Sequence, residues 1–271
     1  MPDFFKGGAV MEVGIAIYTS AQLESVENFR NFSLVEISGE MLEDAGKYGL
    51  FSRIPDGVLV RELLPRRIVD DLPDASGGVC RELLKLFEQR CILLEKYGIE
   101  WATLTPNLGR AKDDVVYREK LLDLMRCMFG IALRHGVNFV YELRLPESFP
   151  GAVDEMLKFC RSCNIRVRVL IDFHPHEPRG FEMLEQAVAK LKMKRDAWRI
   201  SFDVASCNYL SLDVVKRVFA LSRPGSYLHE YVVFSPGPGS DMENYRQLDQ
   251  IAGECRKAQR AAVSGGTFHV G

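Results

Sequence analysis

The sequence predicts a single soluble (β/α)8 TIM barrel, and three observations carry that prediction. Short β-rich runs alternate with longer amphipathic ones, the pattern of βα units and a parallel sheet. Eight such runs can be counted, the number that closes a barrel. The 271 residues, 47% of them hydrophobic, suit one sizeable core, because barrels of this kind run to about 250 residues as one domain.

The eight runs are EVGIAIY from Glu12, LVEIS from Leu34, GVLVREL from Gly57, IEWATLT from Ile99, NFVYEL from Asn138, RVRVLID from Arg166, RISFD from Arg199 and EYVVFS from Glu230. Amphipathic segments lie between most of them. The clearest are CRELLKLFEQRCILLEKYG, DVVYREKLLDLMRCMFGIALRHG, AVDEMLKFCRSC and FEMLEQAVAKLKM. Two helices end alike, KYG before IEW and RHG before VNF, so Gly98 and Gly136 are expected in the left-handed position that turns the chain into the next strand. The third unit is the least regular, because LLPRRIVDDLPDASGG reads as a long loop. MENYRQLDQIAGECRKAQR supplies the last helix. The expected plan is an extension or tag remnant over 1–10, the barrel over 11–262 and a C-terminal tail over 263–271, with no linker that marks a second domain.

Composition narrows the partners. Charged residues make up 27% and the formal net charge is −2, with no basic block, so nucleic acid is not expected. No apolar run approaches the roughly 18 residues of a membrane span. The opening MPDFFKGGAV lacks a basic start, and Glu12 interrupts the apolar stretch after it, unlike a signal peptide. Seven cysteines, an odd number, argue against a disulfide framework and for a reducing, cytoplasmic setting. Cys160 and Cys163 form a lone CxxC, read as a helix end with two ordinary thiols. A homo-oligomer is compatible with all of this.

Strand side chains alternate between faces. In RVRVLIDFH, Val167, Val169, Ile171 and Phe173 share the helix-facing side, which leaves Arg168, Leu170 and Asp172 inside the barrel. In NFVYE, Phe139 and Tyr141 face out while Val140 and Glu142 face in. In LVEIS, Val35 and Ile37 face out and Glu36 faces in. In RISFD, Ile200 and Phe202 face out and Ser201 and Asp203 face in. Glu36, Arg61, Glu142 and Arg168 are therefore expected inside and mostly paired. Glu142, Asp172 and Asp203 come near strand C-termini, where barrel enzymes keep their chemistry. Converging buried carboxylates repel and need a cation or a retained proton. A divalent metal is one answer and pairing with Arg61 and Arg168 is another; spacing does not choose between them.

IDFHPHEP sharpens the pattern. Asp172, His174 and His176 are two apart and face one way if the chain stays extended past the strand. Carboxylate with imidazole suits Mn²⁺, Zn²⁺, Co²⁺ or Fe²⁺. The other histidines are weaker candidates: His135 ends a helix, where a cation favours the dipole; His269 lies in the tail; His229 precedes the eighth strand. SPGPGS after that strand could hold phosphate, but Pro236 and Pro238 remove two backbone donors, and a plain turn is the simpler reading.

Taken together, MEVGIAIYT, the second-strand VEIS, LLEKYGIEWATLTPN and RHGVNFVYEL resemble the xylose-isomerase-like family of sugar isomerases and epimerases, diffusely and over about Met11 to Arg260. The resemblance implies a divalent metal (Mn, Zn, Co or Mg) held by acidic and His ligands from the last four strands. Matched residue by residue, Glu142 takes the fifth-strand Glu and Asp172 with His174 the sixth-strand Asp and His, although here the His follows by two positions instead of three. Asp203, with Ser206 and Asn208 beyond, stands where the family offers a His. The strand-eight Glu that serves as ligand and second base has no counterpart, since that strand ends VVFSPGPG and Glu230 is too early. A shifted register is an alternative, with RISFDVASCN as the sixth-strand segment and Asp172 in place of the fifth-strand Glu.

The expected function is a metal-assisted isomerase or epimerase acting on a sugar, sugar phosphate or related polyol. Glu142 and Asp172 are the expected catalytic residues. Glu142, Asp172, His174 and Asp203 are the expected metal ligands, and His176, Asn107 and Asn208 the expected substrate contacts. Two alternatives stand beside it: a metal-free glycoside hydrolase using two carboxylates, and a non-catalytic barrel that binds a small molecule after losing its ligands. A DNA-repair endonuclease would want more His ligands and a basic face.

Overall fold

The computed structural model describes residues 12–25, 31–47, 49, 51, 57–144, 151–165, 167–170, 182, 185, 186, 231–235 and 241–265. Seven strands are described: β1 Glu12–Ile17, β2 Leu34–Ser38, β3 Val58–Arg61, β4 Trp101–Leu104, β5 Asn138–Arg144, β6 Val167–Leu170 and β7 Tyr231–Phe234. They form one sheet in the order β6-β5-β4-β3-β2-β1-β7, and every pairing is parallel. The first six follow chain order. β7, which is the eighth run of the sequence, pairs with the free side of β1, so β1 has a partner on both edges. The seventh run, residues 199–203, lies outside the described residues.

Eight helices are described: α1 Ser20–Ser25, α2 Leu42–Lys47, α3 Arg66–Asp71, α4 Gly77–Lys96, α5 Leu108–Asp113, α6 Val115–Arg134, α7 Gly151–Ser162 and α8 Met242–Gly265. None is long and apolar enough to cross a membrane. The segment read as a long loop after the third strand in fact contains α3 and a 3-10 turn, Leu72–Asp74. Each is short, but together they bury Val69 and Leu72, which is reason enough for the chain to fold there.

The core lies between sheet and helices. Val13, Ile15 and Ile17 of β1, Val35 and Ile37 of β2, Val60 of β3 and Tyr141 of β5 pack with Phe87, Cys91 and Leu94 of α4 and Leu121, Met125 and Met128 of α6. These strand residues sit at alternate positions, as a strand with one helix-covered face requires. Tyr141 Oη donates to the Met125 carbonyl of α6 at 3.3 Å, which fixes that side of β5 as the outer one. The intervening residues therefore face inward, and Glu36 and Glu142 are among them.

Gly98 and Gly136 both adopt φ +67°, the left-handed turn expected of them. The amides that follow close on the helices, Ile99 to the Leu94 carbonyl and Val137 to the Ala132 carbonyl, each at 2.9 Å. Asn164 does the same after α7, with φ +54° and Ile165 bonded to the Cys160 carbonyl at 2.8 Å. Asn tolerates that region better than other non-glycine residues. Cys160 and Cys163 at this helix end are free thiols.

α8 fastens the seam between the first and last described strands. Tyr245, fully buried, donates its hydroxyl to the Ala16 carbonyl of β1 at 3.2 Å. Asp249 accepts from the Asn31 amide nitrogens at 3.0 and 2.9 Å. Phe234 of β7 meets Phe32 edge-on, centroids 6.3 Å apart.

Candidate functional site

Toward the C-terminal ends of β2, β3 and β5, three carboxylates gather around one guanidinium. Arg61, the last residue of β3, lies with Nε 3.4 Å from Glu142 Oε1, Nη1 3.8 Å from Glu36 Oε1 and Nη2 3.8 Å from Glu62 Oε1. Its side chain is 13% exposed; those of Glu36 and Glu142 are 2% and 0% exposed and that of Glu62 is 25%. Thr105, just past β4, donates its hydroxyl to Glu142 Oε1 at 3.4 Å. The backbone of Glu142 is in register with Arg168 of β6.

The positions follow from strand parity. Glu36, Arg61, Thr103, Thr105 and Glu142 all alternate with core-facing neighbours; Glu36 lies at the middle of β2 and the others toward or just past the C-terminal ends of their strands. The expectation that Glu36, Arg61 and Glu142 are internal and paired holds. The side chain of Arg168 is outside what is described.

All three contacts of Arg61 are ion pairs longer than the 2.7–2.9 Å or so of a charge-assisted hydrogen bond. Nε is buried and, among the described residues, lies near Glu142 without the alignment of a hydrogen bond. The guanidinium is thus held by charge and still offers donor N–H groups.

Glu62 carries the site's backbone strain. Its φ is +49°, a left-handed value that a non-glycine residue holds only when its surroundings impose it. Four contacts do so. The Glu62 amide donates to Thr103 Oγ1 at 3.2 Å, and the Gly39 amide donates to the Glu62 carbonyl at 3.4 Å. The Leu63 amide donates to the Thr103 carbonyl at 2.8 Å, and Arg90 Nη1 donates to the Leu63 carbonyl. Gly39 has to be glycine here, because a Cβ would overlap the Leu63 backbone.

A second polar pair sits where the adjacent strands β1 and β7 end. Tyr18, following β1, and Ser235, following β7, share a hydroxyl hydrogen bond of 2.6 Å. Gln22 Oε1 accepts the Tyr18 and Thr19 amides at 2.8 and 3.1 Å, which holds the turn beneath them.

Of the expected site residues, Glu142 and Asn107 are described. Glu142 is central. Asn107 caps α5, its side chain accepting the Arg110 amide at 2.9 Å, and its own amide donates to the Asp70 carboxylate. Asp172, His174, His176, Asp203 and Asn208 lie outside the described residues. Strand parity placed Glu36 and Arg61 but did not single out Thr105, Thr103 or Glu62. The two threonines carried a usable signal in their alternation with Ala102 and Leu104. Glu62 carried none, since only tertiary contacts set its backbone.

An ion ligating Glu142 Oε1 at roughly 2 Å would stand within about 5.5 Å of Arg61 Nε, but the described cluster holds three carboxylates against that one guanidinium, so its summed field on a divalent cation is attractive. Among the described residues, no group of three or more His, Cys, Asp or Glu side chains is arranged to hold a metal.

No protein-family model and no curated protein matches the chain. Solved structures do. A D-psicose 3-epimerase determined in the presence of D-fructose is 13% identical with a TM-score of 0.59, covering 94% of this chain and 100% of that one. A D-psicose 3-epimerase from Clostridium cellulolyticum H10 with D-tagatose is 14% identical with a TM-score of 0.55, covering 93% and 99%. A xylose isomerase domain protein from Alicyclobacillus acidocaldarius subsp. acidocaldarius is 14% identical with a TM-score of 0.57, covering 94% and 100%. At such identity the likeness is one of fold: a parallel, helix-covered sheet like that of xylose isomerase-like and epimerase barrels.

Proposed function

We propose that this chain is a sugar isomerase or epimerase working by proton transfer at the C-terminal mouth of a closed (β/α)8 barrel. In this reading residues 199–203 form the remaining strand, between β6 and β7. The observation that carries the reading is Glu142: a fully buried carboxylate at the strand end, on the inner face, beside a cation and a hydroxyl.

The chemistry follows from that setting. A hydrogen on the carbon next to a carbonyl can be removed by a positioned carboxylate, which leaves an enediolate. Its negative oxygen must be stabilised by fixed donors or positive charge in a site that excludes water. Glu142 is the proposed base, and Thr105 and Arg61 orient it. Asp172 is the proposed second carboxylate, returning the proton to the opposite face for epimerisation or to the neighbouring carbon for isomerisation. His174, His176, Asp203, Asn107 and Asn208 are the proposed remaining polar walls. The sugar epimerases among the fold's neighbours support a carbohydrate as the substrate class.

The test is solvent-proton exchange. The protein is incubated in D2O with D-fructose, D-psicose, D-tagatose and a panel of aldoses, and deuterium at the carbon next to the carbonyl is read by NMR. Exchange is expected with at least one of them, and Glu142→Gln should reduce it by about 10²–10⁴-fold, the usual contribution of a general base. Binding without exchange across the panel would turn the assignment to the non-catalytic alternative. Cleavage of aryl glycosides instead would turn it to the two-carboxylate hydrolase.

A further inference from the structure

We propose that α6 is a dimer interface, against which a second copy of this chain packs its own α6 in the antiparallel sense. The proposal is independent of the chemistry at the strand ends, and its test needs no turnover.

One face of α6 is accounted for. Tyr117, Leu121, Leu124, Met128 and Ile131 are buried in the core. α4 covers one flank, where Arg134 meets Glu88 at 2.9 Å and His135 meets Glu95 at 2.7 Å. Yet four of the seven large apolar side chains exposed among the described residues are on this one helix: Val115, Val116, Phe129 and Leu133, 53 to 66% exposed. Exposed apolar residues scattered singly need no explanation, whereas a concentration of them marks a contact surface. Their positions are also ordered. Val115, Glu119, Leu122, Arg126, Phe129 and Leu133 follow one another at intervals of four and three, the spacing along which two helices pack in a coiled coil. Leu122 is partly buried at the edge of the core, and the other five are exposed. α6 therefore carries two stripes, of which one meets the core and the other faces outward.

The outward stripe is complementary to itself. A two-fold axis crossing it between Leu122 and Arg126 lays the second helix antiparallel to the first, and each residue then meets its image across the midpoint. Val115 faces the partner's Leu133, and Leu122 faces the aliphatic stem of the partner's Arg126. The partner's Glu119 stands three residues further on, about 4.5 Å along the axis, so Arg126 of each copy can pair with Glu119 of the other. Within one chain Arg126 is held by Asp123 at 2.6 Å, an exposed pair three residues apart. Such a pair contributes little to stability, so turning the guanidinium toward the second copy costs little. A parallel partner would instead set Arg126 against Arg126 and Glu119 against Glu119, which like charges oppose. A contact built on one helix per copy lies at the small end of specific interfaces, so a dissociation constant in the micromolar range is expected.

The experiment is sedimentation velocity of the full chain across the micromolar range, with circular dichroism to show that each variant is folded. Wild type should pass from monomer to dimer as concentration rises. Phe129→Asp/Leu133→Asp should weaken the dimer by about a hundredfold or more, since each copy loses two apolar contacts. Glu119→Arg and Arg126→Glu should each weaken it by about tenfold, because each sets like charges across the two-fold axis. An equimolar mixture of those two variants should recover the wild-type constant to within about threefold, because every pair between unlike copies is again of opposite sign. A wild-type chain that stays monomeric throughout would overturn the proposal. So would a dimer that Phe129→Asp/Leu133→Asp leaves intact, and so would a mixture no tighter than either charge variant alone. If the Asp variant does not fold, the two charge variants and their mixture decide by themselves.

Discussion

Replacing Arg61 by Met removes a guanidinium that stands against three of the described carboxylates and keeps a chain of similar length in its place. At an effective dielectric of about 20, the 3.4 Å contact with Glu142 is worth about 5 kcal/mol before desolvation, and each 3.8 Å contact about 4 kcal/mol. Desolvation offsets much of this. What is measured on deleting one partner of a buried pair is the cost of the charges left behind, about 3–5 kcal/mol. For a chain of this size that lowers the melting temperature by on the order of 10 °C. Urea unfolding at neutral pH, followed by circular dichroism and tryptophan fluorescence, gives the loss directly. The sharper test is the double variant. Glu142→Gln alone should cost about 1–3 kcal/mol, because Arg61 keeps two other partners and the Thr105 hydroxyl keeps an acceptor. In Arg61→Met/Glu142→Gln the most buried of the three carboxylates is gone, so the double variant should be about 1–3 kcal/mol more stable than the two single losses predict. Losses that add to within about 0.5 kcal/mol would show that Arg61 and Glu142 do not share a charge interaction, and the account of the site would fall with it.

Other expectations follow from single positions. Gly39→Ala must push the Leu63 backbone aside and should cost about 1–3 kcal/mol, as overpacking does. By contrast Gly130→Ala, inside α6 with nothing near its Cβ, should stabilise by about 1 kcal/mol through helix propensity; chemical denaturation of the two variants side by side checks both signs. Burial pushes the Cys91 thiol up to about 12, so at pH 8 a thiol reagent should modify exposed Cys127 and leave Cys91 unmodified until the chain unfolds, as peptide mass mapping would show. Burial raises the Asp70 carboxyl, against the opposing pull of Arg66 and the Asn107 amide. A carboxyl raised in the folded state favours folding only where it stays protonated, below the unfolded value, and that contribution is lost as pH climbs through the folded one. Asp70→Asn should therefore be at least as stable as wild type at pH 7, with the advantage shrinking toward pH 3.5. A variant markedly weaker at pH 7 would contradict this.

Much of the fold was legible because one rule, alternation, acts along every strand. Val35 and Ile37 against Glu36, and Tyr141 against Glu142, are sorted by which face meets the helices, and the burial is as the pattern requires. The glycines closing α4 and α6 were legible for an equally local reason, since the left-handed turn excludes most side chains. α3 was not. Six residues bury a single side chain, and no periodicity shows in so short a span; the helix exists because the surrounding core has room for Val69. Glu62 was not legible either, as nothing in its own chemistry asks for a positive φ. Its conformation belongs to Gly39, Thr103 and Arg90, which lie far away in the chain. The site was half visible for the same reason: parity says which side chains enter the interior, but not which of them meet.

The seam between β1 and β7 sets a timetable for synthesis. Tyr18 and Ser235, bonded across it, are 217 positions apart, so the outer edge of β1 waits for its partner until those intervening residues have been made. At roughly 5–20 residues per second, that edge stays open for on the order of ten to forty seconds while β2 to β6 are already able to pair. An unpaired strand edge is a template for other chains. Nascent chains halted before Tyr231 should therefore be caught by one another or by holding chaperones far more readily than chains halted after α8, which closes over the edge and ends the exposure.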